Sequence, residues 1–300
     1  MTTIAARLQA VRSRIDAAAI TAGRSPDDIR LIAVSKTFPP AAIAEAHAAG
    51  QVAFGENYLQ EAVGKMAALA GLGLESHVAS PDGANFEPGG DVRPSAGVRQ
   101  RDVDGAREAV ELAHGSAFSV ARPEAPRSGA SSPQAGPLLR PLEWHFIGPI
   151  QSNKTRQIAE LFHWVHSVDR LKIAERLSSS RPAMLPPLQI CIQVNVSGEQ
   201  SKSGVRPDEV FALAKAVSPL TGIRLRGLMA IPEPTPDIGL QCLRFRVLRR
   251  LRDEIASRGI ALDTLSMGMS DDLEAAIAEG ATLVRVGRAI FGERPPHSGS

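Results

Sequence analysis

Eight short apolar runs recur along the chain, beginning near residues 31, 52, 144, 164, 188, 226, 262 and 283, and nearly every one is followed by a stretch with helical spacing. Runs that lack polar alternation are strands buried on both faces, as a parallel sheet covered by helices requires. Strand-then-helix repeated eight times predicts a closed (β/α)8 TIM barrel in preference to an open doubly wound sheet, although periodicity does not report closure.

The punctuation sets the elements. Ile4 to Ala22 has helical periodicity and stops at Gly23, which predicts an N-terminal helix ahead of the barrel. Leu31 to Val34 is the first strand, Pro40 opens a helix through Ala49, and Val52 to Gly55 is the second strand. Trp144 to Gly148 reads as a strand, with Ser152 capping a helix to about Phe162; Trp164 to Val168 follows, with Asp169 capping a helix to Leu177. Leu188 to Val196 precedes a helix from Pro207 to Val217, and Arg226 to Ile231 ends at Pro232, before a long helix from Ile238 to Ser257. Leu262 to Met267 and Leu283 to Val286 close the series around a helical segment, Asp271 to Glu279.

One stretch breaks the rhythm. Residues 76–141 are rich in Gly, Pro and Ser, with Phe86 and Phe118 the only large aromatics, and they predict a long disordered insertion within a single domain spanning 1–300. Without it about 230 residues remain, a usual size for this barrel. The loop from Gly198 to Val205 reads either as a lid or as a solvated turn.

Composition excludes several partners. The 34 basic and 32 acidic residues are interleaved, leaving a net charge of +2 and no field that would draw nucleic acid. Cys191 and Cys242 match no zinc or redox spacing, so a reducing cytosol fits. Arg7, Arg12, Arg14 and Asp16 break up any secretory signal core, and no window approaches the roughly 20 apolar residues of a membrane span; a cytoplasmic protein with no membrane partner is expected. His145, His163 and His166 fall on different elements without carboxylate spacing, so no metal is expected. The run Arg244, Arg246, Arg249, Arg250 and Arg252 reads as a solvated helix face, since Asp253 and Glu254 follow it.

In such a barrel the chemistry sits at the carboxyl ends of the strands. Lys36 ends the first strand beside the turn Thr37-Phe38-Pro39-Pro40, where a partly desolvated amine can lose its proton and make a Schiff base; the plainer alternative is a lysine whose stem snorkels outward. At the seventh strand end, Ser266-Met267-Gly268-Met269-Ser270 brackets a glycine with two serines ahead of the helix from Asp271, which suggests an anion site. Gly287-Arg288 adds a second backbone approach at the next strand end, and TIM barrels often bind phosphate in the loops after strands 7 and 8. An amine opposite a phosphate site suits a phosphorylated aldehyde or ketone: pyridoxal 5'-phosphate (PLP), or a sugar phosphate in a Schiff-base lyase.

The ordered strings Ala33-Val34-Ser35-Lys36, Phe54-Gly55-Glu56-Asn57-Tyr58, Trp144 to Lys154, His166-Ser167-Val168-Asp169, Gly227-Leu228-Met229, Ser266 to Ser270 and Val284-Arg285-Val286-Gly287 resemble the PLP homeostasis protein family, whose fold-type III barrel is related to the alanine racemase N-terminal domain. The resemblance implies PLP held as a Schiff base on Lys36, with Ser266, Ser270, Gly287 and Arg288 around the phosphate. It further implies Arg285 facing the pyridine nitrogen, with Asn57, His166 and Met229 lining the cofactor. The family often has threonine at the position of Arg288, where a backbone N–H would serve. It also implies a monomer acting in vitamin B6 homeostasis, with PLP-dependent apoenzymes as recipients. A free lysine titrates near about 10.4, so desolvation must lower Lys36 for the neutral amine to react. An arginine at the pyridine nitrogen delivers no proton, which leaves the ring a poor electron sink, and the related racemases use a tyrosine as second base. The only tyrosine here is Tyr58, beside Asn57, so a non-catalytic carrier is expected, with a racemase-like enzyme as the alternative.

Overall fold

The computed structural model of this chain describes residues 2–74, 140–198 and 203–293. Among these residues the strands β1 (Arg30–Val34), β2 (Ala53–Glu56), β3 (Glu143–Phe146), β4 (Trp164–Val168), β5 (Leu188–Gln193), β6 (Ile223–Met229), β7 (Thr264–Ser266) and β8 (Leu283–Val286) form one closed barrel in sequence order. Closure comes from β8 pairing in parallel with β1, from Arg30 opposite Leu283 to Ala33 opposite Val286. The helices are α1 (Ile4–Thr21), α2 (Pro40–Ala48), α3 (Leu59–Ala70), α4 (Thr155–Leu161), α5 (Leu171–Ser180), α6 (Val210–Val217), α7 (Ile238–Ser257), α8 (Leu273–Ala278) and the short α9 (Arg288–Phe291). The barrel expected from the eight-fold rhythm is therefore the observed architecture, with α1 ahead of it and packed on α8 and α9.

Strand parity sorts the side chains into two layers, because successive residues point to opposite faces. Leu31 and Ala33, Phe54, Trp144 and Phe146, Ile190 and Ile192, and Val284 and Val286 belong to the core cluster that also holds the helices' buried faces. Each such side chain contributes roughly 1.5–3 kcal/mol when fully buried. The alternate set, Ile32, Ala53, Trp164, Cys191, Met229 and Leu283, forms a second cluster filling the barrel lumen. The lumen is thus a packed interior, and a ligand can reach only its upper end. At the starts of β1 and β3, Arg30 grips Glu143 with two hydrogen bonds of 3.0 and 2.5 Å, and Arg226, midway along β6, holds Asp263 while lying 5.2 Å over the Trp164 ring.

Several boundaries differ from the sequence expectation. The fifth strand ends at Gln193, with Val194 making only an isolated bridge to Val205. Asp169 does not cap α5: Arg170 is the cap residue, and the Asp169 carboxylate turns to the Arg170 guanidinium instead. Ser152 opens a short 3-10 turn ahead of α4 and makes no side-chain cap, since Thr155 Oγ1 donates to its carbonyl. Pro207 likewise begins a 3-10 turn before α6. The expected disordered stretch, 76–141, lies outside the described residues apart from Arg140 and Pro141, as do residues 199–202 of the loop read as a lid. No helix among the described residues is long and apolar enough to cross a membrane. On α7, Arg244, Arg246, Arg249 and Arg252 are paired with Glu233, Glu279, Glu279 and Asp253, in keeping with a solvated, charge-compensated face.

Candidate functional site

Lys36 lies one residue past β1 and its following Ser35, half-buried, in the parity series of Ile32 and Val34. Its two neighbours are held tightly. Ser35 donates its backbone N–H to Gly55 O at 3.0 Å and its hydroxyl to Glu56 Oε1 at 2.6 Å. Thr37 donates its N–H to Glu61 Oε1 at 2.5 Å and adopts φ = 69°, the left-handed region that a β-branched residue rarely enters. Asn57, after β2, is seated by Gly148: a Cβ on that glycine would come within 2.0 Å of the Asn57 carbonyl oxygen, so only glycine permits the approach. The Gly148 carbonyl in turn accepts the Ser167 hydroxyl at 2.5 Å. Asn57 Oδ1 and Thr37 Oγ1 are both buried with no hydrogen-bond partner among the described residues.

A buried polar chain crosses the lumen beneath this mouth. Arg285 donates from Nη1 to Ser266 Oγ at 2.6 Å and from Nη2 to the Ala230 carbonyl at 2.9 Å. Ser266 Oγ lies 2.8 Å from His166 Nδ1, His166 Nε2 lies 2.9 Å from His145 Nδ1, and His145 Nε2 faces Glu143 Oε1 at 2.9 Å. Burial pushes both imidazoles below their ordinary range: His145 despite the neighbouring Glu143 carboxylate, and His166 well below it, where the positive charge of Arg285 adds to that push. With both rings neutral, the protons are assigned in one order. The Glu143 carboxylate only accepts, so His145 carries its proton on Nε2; His166 donates from Nε2; and His166 Nδ1 accepts the Ser266 hydroxyl, whose oxygen accepts from Arg285. Burial pushes the Glu143 carboxyl up, but hydrogen bonds and charge from His145 and Arg30 outweigh it and hold it well below the usual carboxylate range. Burial lowers the Arg285 guanidinium to about 10, partly offset by Asp272, so it keeps its charge at neutral pH. The Cys191 thiol beneath is pushed up to about 12 by burial.

The two loops expected to hold a phosphate are adjacent. Ser266 is the last residue of β7 and stands opposite Met229, the last residue of β6. Gly268 takes φ = 94° and its carbonyl accepts the Arg285 backbone N–H, tying this loop to β8. Ser270 is half-buried in the turn that follows. The helix beyond starts at Leu273, two residues later than expected, because Asp272 turns back and accepts the Met269 N–H at 2.6 Å. That N–H is therefore satisfied within the loop. Gly287 follows β8 directly, and Arg288, exposed, reaches from Nη2 to Asp271 Oδ2 at 3.2 Å, bridging the two loops through its side chain.

The residues named from sequence thus fall into two groups: His166, Met229, Ser266 and Arg285 on the lumen wall, and Lys36, Asn57, Ser270, Gly287 and Arg288 in the loops above it. A family model described as the alanine racemase N-terminal domain matches residues 6–295. A Pseudomonas aeruginosa relative named pyridoxal phosphate homeostasis protein is 50% identical over 294 residues, covering 98% of this chain and 97% of its own. The chain belongs to the pyridoxal phosphate homeostasis protein family. The Escherichia coli K12 member is 43% identical over 297 residues, with 98% of each chain covered. PipY of Synechococcus elongatus, solved with PLP bound, superposes with a TM-score of 0.66 at 31% identity, covering 97% of this chain and all of that one.

Two parts of this family member's site escaped the sequence reading. Sequence reading gives His145 no role beyond the absence of a metal-ligand spacing, whereas it links Glu143 to His166. The cluster of Glu56, Glu61 and Lys65 below Lys36 was not anticipated at all. Its one sequence signal is the Glu61 and Lys65 spacing of four on a helix, a pairing usually found on solvated faces. Here Lys65 is only 4% exposed.

Proposed function

We propose that this protein binds PLP at the barrel mouth, covalently through Lys36, and serves intracellular PLP homeostasis as a non-catalytic carrier that passes the cofactor to PLP-dependent apoenzymes. The observation that carries the reading is the placement of Lys36: a half-buried amine at a strand end, next to the buried, unpartnered oxygens of Thr37 and Asn57. Bound PLP supplies an aldehyde carbon that a lysine amine attacks with loss of one water, together with an aromatic ring able to draw electrons. The residues present fit such a group. Lys36 provides the amine, Met229 and His166 an apolar and an aromatic wall, and Arg285 a charged donor for a ring nitrogen. Ser270 and the backbone N–H groups of Gly287 and Arg288 provide donors for the phosphate, and Ser266 an oxygen fixed by its bonds to Arg285 and His166.

Restraint of catalysis follows from the same residues. Arg285 keeps its proton, so a ring nitrogen beside it gains a hydrogen bond without being protonated. Tyr58, which precedes α3, is 56% exposed and makes no part of the buried chain of proton-bearing groups that ends at Arg285. A cytoplasmic monomer suits this role. Purified protein mixed with PLP is expected to develop a yellow absorbance band that Lys36→Ala abolishes, and hydride reduction should fix the cofactor to the peptide containing Lys36. Absence of the band in wild type would sink the reading. Chiral analysis after incubation with amino acids separates the carrier from a racemase-like enzyme, which would scramble the α-carbon.

A further inference from the structure

Below Lys36 lies an ion cluster that the binding of PLP does not itself require. Lys65 on α3 is almost fully buried, and its Nζ meets three acceptors: the Ser35 carbonyl at 2.7 Å, Glu56 Oε1 at 2.7 Å and Glu61 Oε1 at 2.6 Å. Three acceptors match the three N–H bonds of an ammonium. The same two carboxylate oxygens also hold the residues on either side of Lys36. Glu56 Oε1 accepts the Ser35 hydroxyl, and Glu61 Oε1 accepts the Thr37 N–H.

Stability does not explain such a cluster. Buried ion pairs seldom outperform apolar residues of the same volume, because desolvation cancels most of the attraction. This one also leaves Glu56 Oε2 buried without a hydrogen-bond partner among the described residues and keeps Thr37 at a positive φ, each a local cost. What those costs secure is the backbone on both sides of a single residue. We propose that Lys65, Glu56 and Glu61 are positioning residues for Lys36, clamping Ser35 and Thr37 so that the amine is presented to the cofactor's aldehyde carbon in one geometry. The cluster also separates the two lysines: Lys65 has every donor engaged by a fixed acceptor, while Lys36 sits on the turn that Lys65 braces.

This inference rests on the proposed attachment at Lys36, and its test keeps the two apart. Glu61→Gln takes the charge from the partly exposed arm of the clamp, leaves a neutral amide oxygen as a weaker acceptor for Thr37 and Lys65, and keeps the Lys65–Glu56 pair inside. It is expected to weaken PLP binding about tenfold, the factor equivalent to about 1.4 kcal/mol, to shift the pH midpoint of the yellow band, and to leave the melting temperature of the cofactor-free protein unchanged. The double variant Lys65→Met with Glu56→Gln, which strands no buried charge, should weaken binding at least as much and serves if Glu61→Gln fails to fold. Folded clamp variants that match wild type in affinity and in band midpoint would overturn the positioning role while leaving attachment at Lys36 intact. No band in wild type would overturn both.

Discussion

Arg285 shows what one residue can and cannot reveal in advance. The family resemblance implies a place for it facing the cofactor's ring nitrogen, but its acceptors, Ser266 Oγ and the Ala230 carbonyl, lie 19 and 55 positions away in sequence and meet it only through barrel closure. The guanidinium fork is what lets one side chain reach both, from Nη1 and from Nη2. A lysine there would keep the charge but bring its donors from a single nitrogen, without the planar fork whose two separate Nη atoms reach Ser266 and Ala230, so the exchange is not conservative. Arg285→Lys is therefore expected to lower the unfolding free energy of the cofactor-free protein by about 1.5–3 kcal/mol, the worth of one hydrogen bond to a charged group. Urea denaturation measures it, and a loss well under 1 kcal/mol would mean that the fork is not what holds Ser266.

At the scale of elements, the chain from Glu143 through His145, His166 and Ser266 to Arg285 fastens β3, β4, β7 and β8 to one another across the lumen. Its response to acid has a definite sign. Burial lowers both imidazoles below the ordinary 6.5, so below that value the unfolded chain takes up protons that the folded one refuses, and stability falls as pH drops. Glu143 is held low, so its stabilisation is complete above the ordinary 4.5 and is lost only as pH falls through its folded value. The two windows separate, which leaves the interval between about pH 6.5 and 5 to the histidines. Melting of the cofactor-free protein should fall across that interval, and the double variant His145→Gln, His166→Gln should flatten the fall. An unchanged slope in the double variant would show that other groups set it. Sequence spacing alone could not find this chain, because residues on four strands become neighbours only when lumen-facing positions converge. The strands themselves were legible, since each carries its own apolar run.

For the whole molecule, rhythm sufficed to give the barrel because eight buried strands of similar length leave few ways to bury all their faces. It failed at helix starts such as those of α5 and α8, where aspartates bonded to neighbours within their own loops and did not cap the helix at the expected residue: Asp169 turned to Arg170, and Asp272 to Met269. The same topology sets where the described chain breaks off and where it resumes. α3 leaves from the upper end of β2 and runs back toward the end where β3 begins, so the chain departs at Leu74 and returns at Arg140 on the side of the barrel away from Lys36. β2 and β3 are nevertheless in continuous register, from Ala53 opposite Glu143 to Glu56 opposite Phe146, so the barrel closes with residues on both sides of the segment. Replacing residues 75–139 with a Gly/Ser linker of about eight residues should leave PLP affinity and the Lys36-dependent band unchanged. If the segment adds only chain length, shortening the loop should also raise stability by about 2 kcal/mol through the logarithmic closure entropy. Absorbance titration and urea melts of the spliced protein give both quantities. Lost binding in a folded variant would make the segment part of the site, and lost stability would mean that it contributes packing to the barrel beyond the connection it supplies.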